Sequence, residues 1–220
     1  LNIDFLLSDT TSTNHGNHNL KKKIAKKPYE RLIKNFQKIE GLFTLFSNKE
    51  NNKVYISILP KQFGTIYLAG LTRQSGDGLY LDGSSMLNEY PFIFKKVGNR
   101  VQFISVNSKF RAAENSPILK SIKKHTSNSI ISSSEIASDP NQNNGAILID
   151  LSKLLIFDIE EVGRKTQNLY SFDKKDSYFR ALKSFPYNTE IEMALHFKGK
   201  KGKLNPGLQK NLDSKKTKNE

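Results

Sequence analysis

The chain has 220 residues, of which 36% are hydrophobic and 10% aromatic, so it can build a core and is not wholly disordered. It contains no cysteine, which excludes disulfide frameworks, thiolate nucleophiles and cysteine-ligated zinc sites. No apolar run approaches the roughly 18 uncharged residues that a membrane-spanning helix needs, so we expect no membrane span.

Basic residues outnumber acidic ones, 35 to 21, and the net charge of +14 comes mostly from the two ends of the chain. Lysine runs at these ends could neutralise phosphates, which would give sequence-independent and salt-sensitive nucleic-acid binding. No aromatic side chain is interleaved with them to stack bases, so a solvated tail is the favoured interpretation. The candidate anion contacts are Lys21, Lys22, Lys23, Lys26, Lys27, Lys198, Lys200, Lys201 and Lys203.

The composition divides the chain into three parts. We expect a disordered polar and basic leader over residues 1–27, one folded domain over residues 28–198, and a Lys-rich disordered tail over residues 199–220. The chain begins at Leu1 rather than Met, so a signal peptide cannot be read from it and the compartment stays open.

The first part of the domain predicts a helix followed by a hairpin. Apolar residues recur at helical spacing over residues 29–39, with Pro28 at a helix-start position and Gly41 just past the end. Residues 42–46 and 54–59 are rich in β-formers and are separated by a polar connector that suits a hairpin.

The middle of the chain predicts a second hairpin and a surface helix. Residues 90–95 and 100–106 flank Gly98-Asn99, a pair that suits a primed turn between twisted strands. Residues 116–125 begin with Ser-Pro and carry apolar residues at helical spacing, and residues 129–137 favour a strand.

The last elements complete the predicted fold class. Residues 146–150 form a buried run that passes into a helix over residues 151–158, and residues 177–185 favour a short helix or turn. Apolar and polar residues alternate over residues 190–197, as in a half-exposed strand. Hairpins outnumber helices, so we predict a single, antiparallel-dominated α+β domain with a few short helices.

The histidines do not form a recognisable metal-binding pattern. His15 and His18 have a spacing that two ligands could use, but they lie in the polar leader without an evident third ligand. His125 and His196 are far apart in the sequence, and no H-E-x-x-H is present. The sequence therefore predicts no metal site in this chain.

Two acidic patterns suggest sites of different kinds, one a catalytic pair and the other a calcium-binding loop. Glu190 and Glu192 share one face of the last strand at a separation of about 7 Å, within the range of an inverting glycosidase pair, but such pairs are common on solvated faces. Gly76-Asp77-Gly78 and Asp82-Gly83 suit turns, and they lack the terminal Glu of a calcium-binding loop. We expect no catalytic residue in this chain.

Several segments, taken in order, resemble the amino-terminal, pre-catalytic domain of large bacterial zinc-dependent metalloproteases of the zincin type. The resemblance covers roughly residues 29–197, and after Phe197 the family would continue toward a zinc-binding helix. The segments that carry it are Phe36–Phe46, Lys53–Ile58, Ala146–Leu151, Asp176–Phe179 and Phe185–Glu192.

The resemblance implies a role for the chain and a partner. It implies a non-catalytic accessory domain, truncated before the H-E-x-x-H domain, that packs against or positions a catalytic domain supplied in cis or as a separate chain. Zinc would belong to that missing domain, no cofactor would bind here, and export to the periplasm or cell envelope would be expected. The alternative is a stand-alone basic module that binds nucleic acid or an anionic surface.

Overall fold

A computed structural model of the chain describes residues 26–76, 83 and 85–199. Its strands are β1 (Gln37–Ile39), β2 (Thr44–Asn48), β3 (Lys53–Ile58), β4 (Tyr67–Arg73), β5 (Ser85–Val97), β6 (Arg100–Ser105), β7 (Ser129–Glu135), β8 (Ile147–Asp150), β9 (Tyr170–Ser184) and β10 (Thr189–Gly199). Its α-helices are α1 (Tyr29–Ile33), α2 (Pro117–His125), α3 (Leu151–Leu155) and α4 (Val162–Lys165), and Pro60–Gln62 form a 3-10 turn.

The strands form three antiparallel sheets. The first has the order β1-β2-β3-β8, the second has the order β4-β5-β6-β7, and the third is the long β9–β10 hairpin. The predicted hairpin around Gly98 is confirmed, since Val97 pairs with Arg100 and Gly98 has a φ of 55°. A left-handed conformation at this position is easily adopted by glycine, which fixes the turn locally.

The described residues contain two clusters of buried apolar side chains, and the larger one joins the three sheets. Val54, Ile56 and Ile58 of β3 are buried as predicted, and all four residues of β8 are buried. Four residues of the second sheet and Phe43, which precedes β2, form a group of aromatic rings whose centroids lie 4.8 to 5.7 Å from their neighbours. These rings are Phe43, Tyr67, Phe92, Phe94 and Phe103.

The β9–β10 hairpin lies with one side against this core. Phe179 is buried, and half-buried apolar side chains from both strands pack on the same cluster. These are Phe172, Leu182, Ile191, Met193 and Leu195. The predicted antiparallel α+β domain is confirmed, and none of the helices in the described part of the chain is long and apolar enough to cross a membrane.

The predicted first helix is too long. The helix α1 ends at Ile33, and residues 37–39 form β1, in which Ile39 pairs with Leu45. Beyond Ile33 the apolar spacing fits a helix, but a short edge strand can turn the same apolar residues inward. The pairing that forms this strand is not visible in the local sequence. Phe36 still packs, with its ring 5.4 Å from that of Tyr55.

Two later predictions also need correction. Residues 177–185 form neither a helix nor a turn, because all but Phe185 belong to β9. The strand was missed because its alternation is interrupted, and its structure depends on pairing with β10. The predicted helix over residues 151–158 is shorter: α3 ends at Leu155, and the Asp150 side chain caps it by accepting a hydrogen bond from Ser152 N at 3.0 Å.

Candidate functional site

The β9–β10 hairpin contains a large irregularity on its outward side. Ala194 pairs with Tyr178, whereas His196 pairs with Asp173, so residues 174–177 stand opposite the single residue Leu195. Such bulges redirect side chains and often lie at functional positions. This bulge turns carboxylates of β9 toward the outward face of β10.

Local hydrogen bonds fix the shape of the bulge. Asp173 Oδ1 accepts a hydrogen bond from Lys175 N at 3.1 Å, and Ser177 Oγ donates one to Asp173 O at 2.7 Å. His196 N donates to Ser177 Oγ at 2.9 Å. The Ser177 side chain therefore supplies a cross-strand hydrogen bond to His196 where the bulge prevents a bond between the two backbones.

The bulge assembles a charged cluster, which we define as Asp173, Asp176, His196 and Lys198. His196 Nδ1 lies 3.6 Å from Asp173 Oδ2 and 3.8 Å from Asp176 Oδ2. Lys198 Nζ forms an ion pair with Asp173 Oδ2 and lies 4.0 Å from Asp176 Oδ2. One ligand atom from each of Asp173, Asp176 and His196 lies within 4.8 Å of the others.

The buried member of the charged cluster is Asp173. Its Oδ2 is shielded from solvent, and its partner is the Lys198 ammonium. The contact with the Lys198 ammonium is the main cause that lowers the pKa of Asp173 to about 2, and the same contact raises the pKa of Lys198. Both side chains are therefore charged at neutral pH.

A second feature is an apolar surface on the side of the second sheet that faces away from the aromatic core. Leu68 pairs with Pro91, and Ile104 pairs with both Ile93 and Ile130, so apolar residues follow one another across four strands. We call these five residues the outer apolar face. Leu68 is 70% exposed and Ile130 is 58% exposed, whereas Ile104 is buried. Antiparallel sheets usually carry polar residues on the side that faces water.

Comparison with protein families gives one match. The family described as Domain of unknown function (DUF5117) matches residues 84–218, more than half of the chain. The chain belongs to the DUF5117 family. Comparisons with curated proteins and with solved structures found no match.

The DUF5117 region contains the whole charged cluster and most of the outer apolar face. The strands β5 to β10 lie within it, whereas Leu68 on β4 precedes it. Residues outside the region complete both the first sheet and the edge of the second sheet. The described fold therefore extends beyond the segment that the DUF5117 match covers.

Sequence reasoning placed His196 on a strand but did not find the charged cluster of this DUF5117 chain. Asp173 and Asp176 precede His196 by about twenty residues, and only the hairpin register brings them together. The sequence does contain an Asp-x-x-Asp pattern on β9 and a His-x-Lys pattern on β10. These two patterns predict a cluster only when the position of the bulge is known. The other described histidine, His125, ends α2.

The predicted acidic pair has ion-pair partners. Glu190 and Glu192 lie on the outward side of β10, where they pair with Lys183 and Ala181 of β9 in the strand register. Lys183 Nζ is 3.9 Å from Glu190, and Arg180 is 3.2 Å from Glu192. The arrangement agrees with a solvated, ion-paired face rather than an acid–base pair.

The predicted anion contacts fall into three groups. Lys26 and Lys27 are exposed, and Lys27 forms a backbone bridge with Ser138. Lys198 belongs to the charged cluster. The others lie outside the described residues, as do His15, His18, Asp77, Gly78 and Asp82; these lysines are Lys21, Lys22, Lys23, Lys200, Lys201 and Lys203.

A polar cleft of about 400 Å³ lies beside α1. Its buried polar groups already have partners: Tyr29 OH donates to Ser57 Oγ at 2.8 Å, and Gln62 Nε2 donates to Leu42 O at 2.7 Å. At its rim, Asn141 Nδ2 donates to Glu30 Oε1 at 2.6 Å. These bonds stabilise the walls of the cleft, and burial raises the pKa of Tyr29.

Proposed function

We propose that this DUF5117 chain is a non-catalytic accessory domain that docks onto a separate protein domain through its outer apolar face. The observation that carries the proposal is the row of apolar residues across four strands, in which Leu68 and Ile130 at the two ends are exposed and Ile104 between them is buried. Covering such side chains with a partner contributes favourable free energy in proportion to the apolar area removed from water.

The partner that we propose is a zincin-type metalloprotease catalytic domain, in cis or as a separate chain. The support is the resemblance of residues 29–197 to the pre-catalytic domain of such enzymes. Zinc and the catalytic residues would belong to that partner, and this chain would position or guard it. Its own Glu190 and Glu192 are paired with cations, which fits a structural role.

The alternative role, binding of nucleic acid or an anionic surface, depends on the lysines near the chain ends. Lys198 contributes little to it, because its charge is balanced by Asp173. Lys26 and Lys27 remain exposed. If this alternative holds, affinity for DNA falls steeply with salt concentration, because counterions are released on binding.

The proposed partner can be sought directly. The coding sequence downstream of Glu220 is read in all three frames for an H-E-x-x-H motif, and the domain that carries it is co-expressed with this chain. We expect the two to co-purify at moderate salt. If no such domain is encoded nearby, or if the two do not associate, the proposed partner is wrong.

A further inference from the structure

We propose that the α2 segment, which we define as residues 106–128, binds the surface of an anionic lipid bilayer, with α2 lying in the interface rather than crossing it. The inference is independent of the proposed docking function and of the lysines near the chain ends. It rests on the position of the segment outside the core, on its exposed apolar side chains, and on the cations beside them.

The α2 segment stands outside the core. It leaves the second sheet after β6 and returns at β7, where Ser105 pairs with Ser129. None of its described side chains is buried. The helix α2 has only nine residues, and helices of this length are marginally stable in water unless they pack on something. A surface that covers α2 would therefore stabilise it.

The helix α2 has an apolar side and a cationic side. Ile118, Leu119 and Ile122 recur at the spacing that places them on one side of a helix. Lys120 and Lys124 lie one turn apart on the opposite side. Lysines on one side and large apolar residues on the other are typical of helices that lie in the plane of a membrane interface.

The apolar side of α2 is open to solvent. Ile118 is 60% exposed, and Phe110, in the loop before the helix, is 57% exposed. A groove of about 430 Å³ lies between this loop and α2, and its walls include Phe110, Leu119 and Ile122. Among the described residues, only those of the α2 segment line this groove. Contact with acyl chains would remove this apolar surface from water, which is favourable.

The charge of the α2 segment favours an anionic surface. Four of its cations are exposed and form no ion pair with the described residues, and its single acidic residue is Glu114. Each Lys or Arg close to an anionic membrane strengthens binding by about fivefold. Nucleic acid would contact the cations but leave the apolar side of α2 uncovered, so the combination favours lipid. The four cations are Lys109, Arg111, Lys120 and Lys124.

A fluorescent reporter on α2 tests the proposal directly. The chain contains no tryptophan, so Ile118→Trp introduces a single indole on the apolar side of the helix. This variant of the 220-residue chain is titrated with vesicles of equal parts phosphatidylcholine and phosphatidylglycerol. We expect its emission to shift to shorter wavelength and to be quenched by brominated lipid. The matched control is Val97→Trp, at an exposed position beside the Gly98 turn, whose emission should not change.

The contribution of charge is measured in the Ile118→Trp background. We expect Lys120→Gln/Lys124→Gln to weaken the affinity for these vesicles at least tenfold. The control Lys95→Gln/Lys96→Gln removes the same charge from exposed positions of β5 and should leave the affinity unchanged. Vesicles of phosphatidylcholine alone should bind at least tenfold more weakly than the anionic vesicles.

Four outcomes would overturn the membrane contact. They are an emission of Ile118→Trp that vesicles do not change, an equal response of Val97→Trp, equal weakening by the two lysine pairs, and equal binding to neutral vesicles. A response to duplex DNA without one to vesicles would show that the segment binds nucleic acid instead. Position 118 is exposed, so Ile118→Trp should fold, and circular dichroism of each variant confirms this before titration.

Discussion

The backbone amide of His196 donates its hydrogen bond to the hydroxyl of Ser177, at 2.9 Å, where a regular hairpin would use a backbone carbonyl. The same hydroxyl donates to the Asp173 carbonyl at 2.7 Å, so one buried side chain bridges the bulge. The geometry of the charged cluster therefore depends on Ser177.

Replacing this bridge should destabilise the protein. Ser177→Ala leaves the His196 amide without its partner, and we expect the free energy of unfolding to fall by about 1–3 kcal/mol. Urea unfolding followed by circular dichroism measures the change. Ser171→Ala is the control, because Ser171 is an exposed serine of the same strand and its loss should cost less than about 0.5 kcal/mol.

The contact between Gly41 and the end of β9 gives a second prediction. A Cβ atom at Gly41 would lie 2.3 Å from Ser184 Oγ and 2.5 Å from Phe185 N, and backbone atoms cannot move aside easily. We expect Gly41→Ala to destabilise the fold by about 3 kcal/mol or more. Thermal unfolding measures the loss.

Gly70→Ala is the matched control for this contact. Gly70 lies on the strand β4, and a Cβ atom there would meet nothing within 4 Å. We expect this variant to be neutral or slightly stabilising, because alanine restricts the unfolded chain. Equal losses in the two variants would show that the hairpin end does not pack on Gly41.

The charged cluster should make stability depend on pH. The Lys198 ammonium lowers the pKa of Asp173 to about 2, below the value of an unfolded aspartate near 3.8. The resulting stabilisation is fully present above the unfolded pKa and is lost as the pH falls from about 4 toward 2. Unfolding in urea at pH 6 and at pH 3 measures the loss.

Asp173→Asn should remove this part of the pH dependence. The variant is less stable than the wild type at pH 6, and we expect the difference to narrow at pH 3. The control is Asp139→Asn, at an exposed loop position, and its free energy of unfolding should equal that of the wild type at pH 6 and at pH 3. If the difference in the free energy of unfolding between Asp173→Asn and the wild type is the same at pH 6 and at pH 3, the ion pair does not contribute to the pH dependence.

Local chemistry explains which elements the sequence could predict. The Gly98 turn, the buried run Ile147–Ile149 of β8 and the alternation in β10 are each visible within a few residues, and all three agree with the structure. The helix α1 is shorter than the apolar spacing predicts, because Ile39 fits a helical period equally well and no local pattern shows its pairing with Leu45.

The charged cluster could not be predicted from the sequence either, because it also depends on strand pairing. Its donors come from two strands, and the bulge opposite Leu195 decides which of them face each other. The outer apolar face has the same origin, because the cross-strand neighbours Ile93, Ile104 and Ile130 are adjacent only through register. Membership of the DUF5117 family is established, whereas the link to a metalloprotease stays a prediction.

The central claim is that the outer apolar face docks a protein domain. Its most direct test is calorimetric titration of this chain with the proposed partner, a zincin-type domain sought downstream of Glu220, comparing the wild type with the Leu68→Ser/Ile130→Ser double variant and with Tyr187→Ser. Tyr187 is 93% exposed but lies in the β9–β10 turn, so it serves as the control. We predict micromolar or tighter binding that weakens at least tenfold in the double variant alone. Absence of binding, or equal affinity for the wild type and the double variant, would contradict the account.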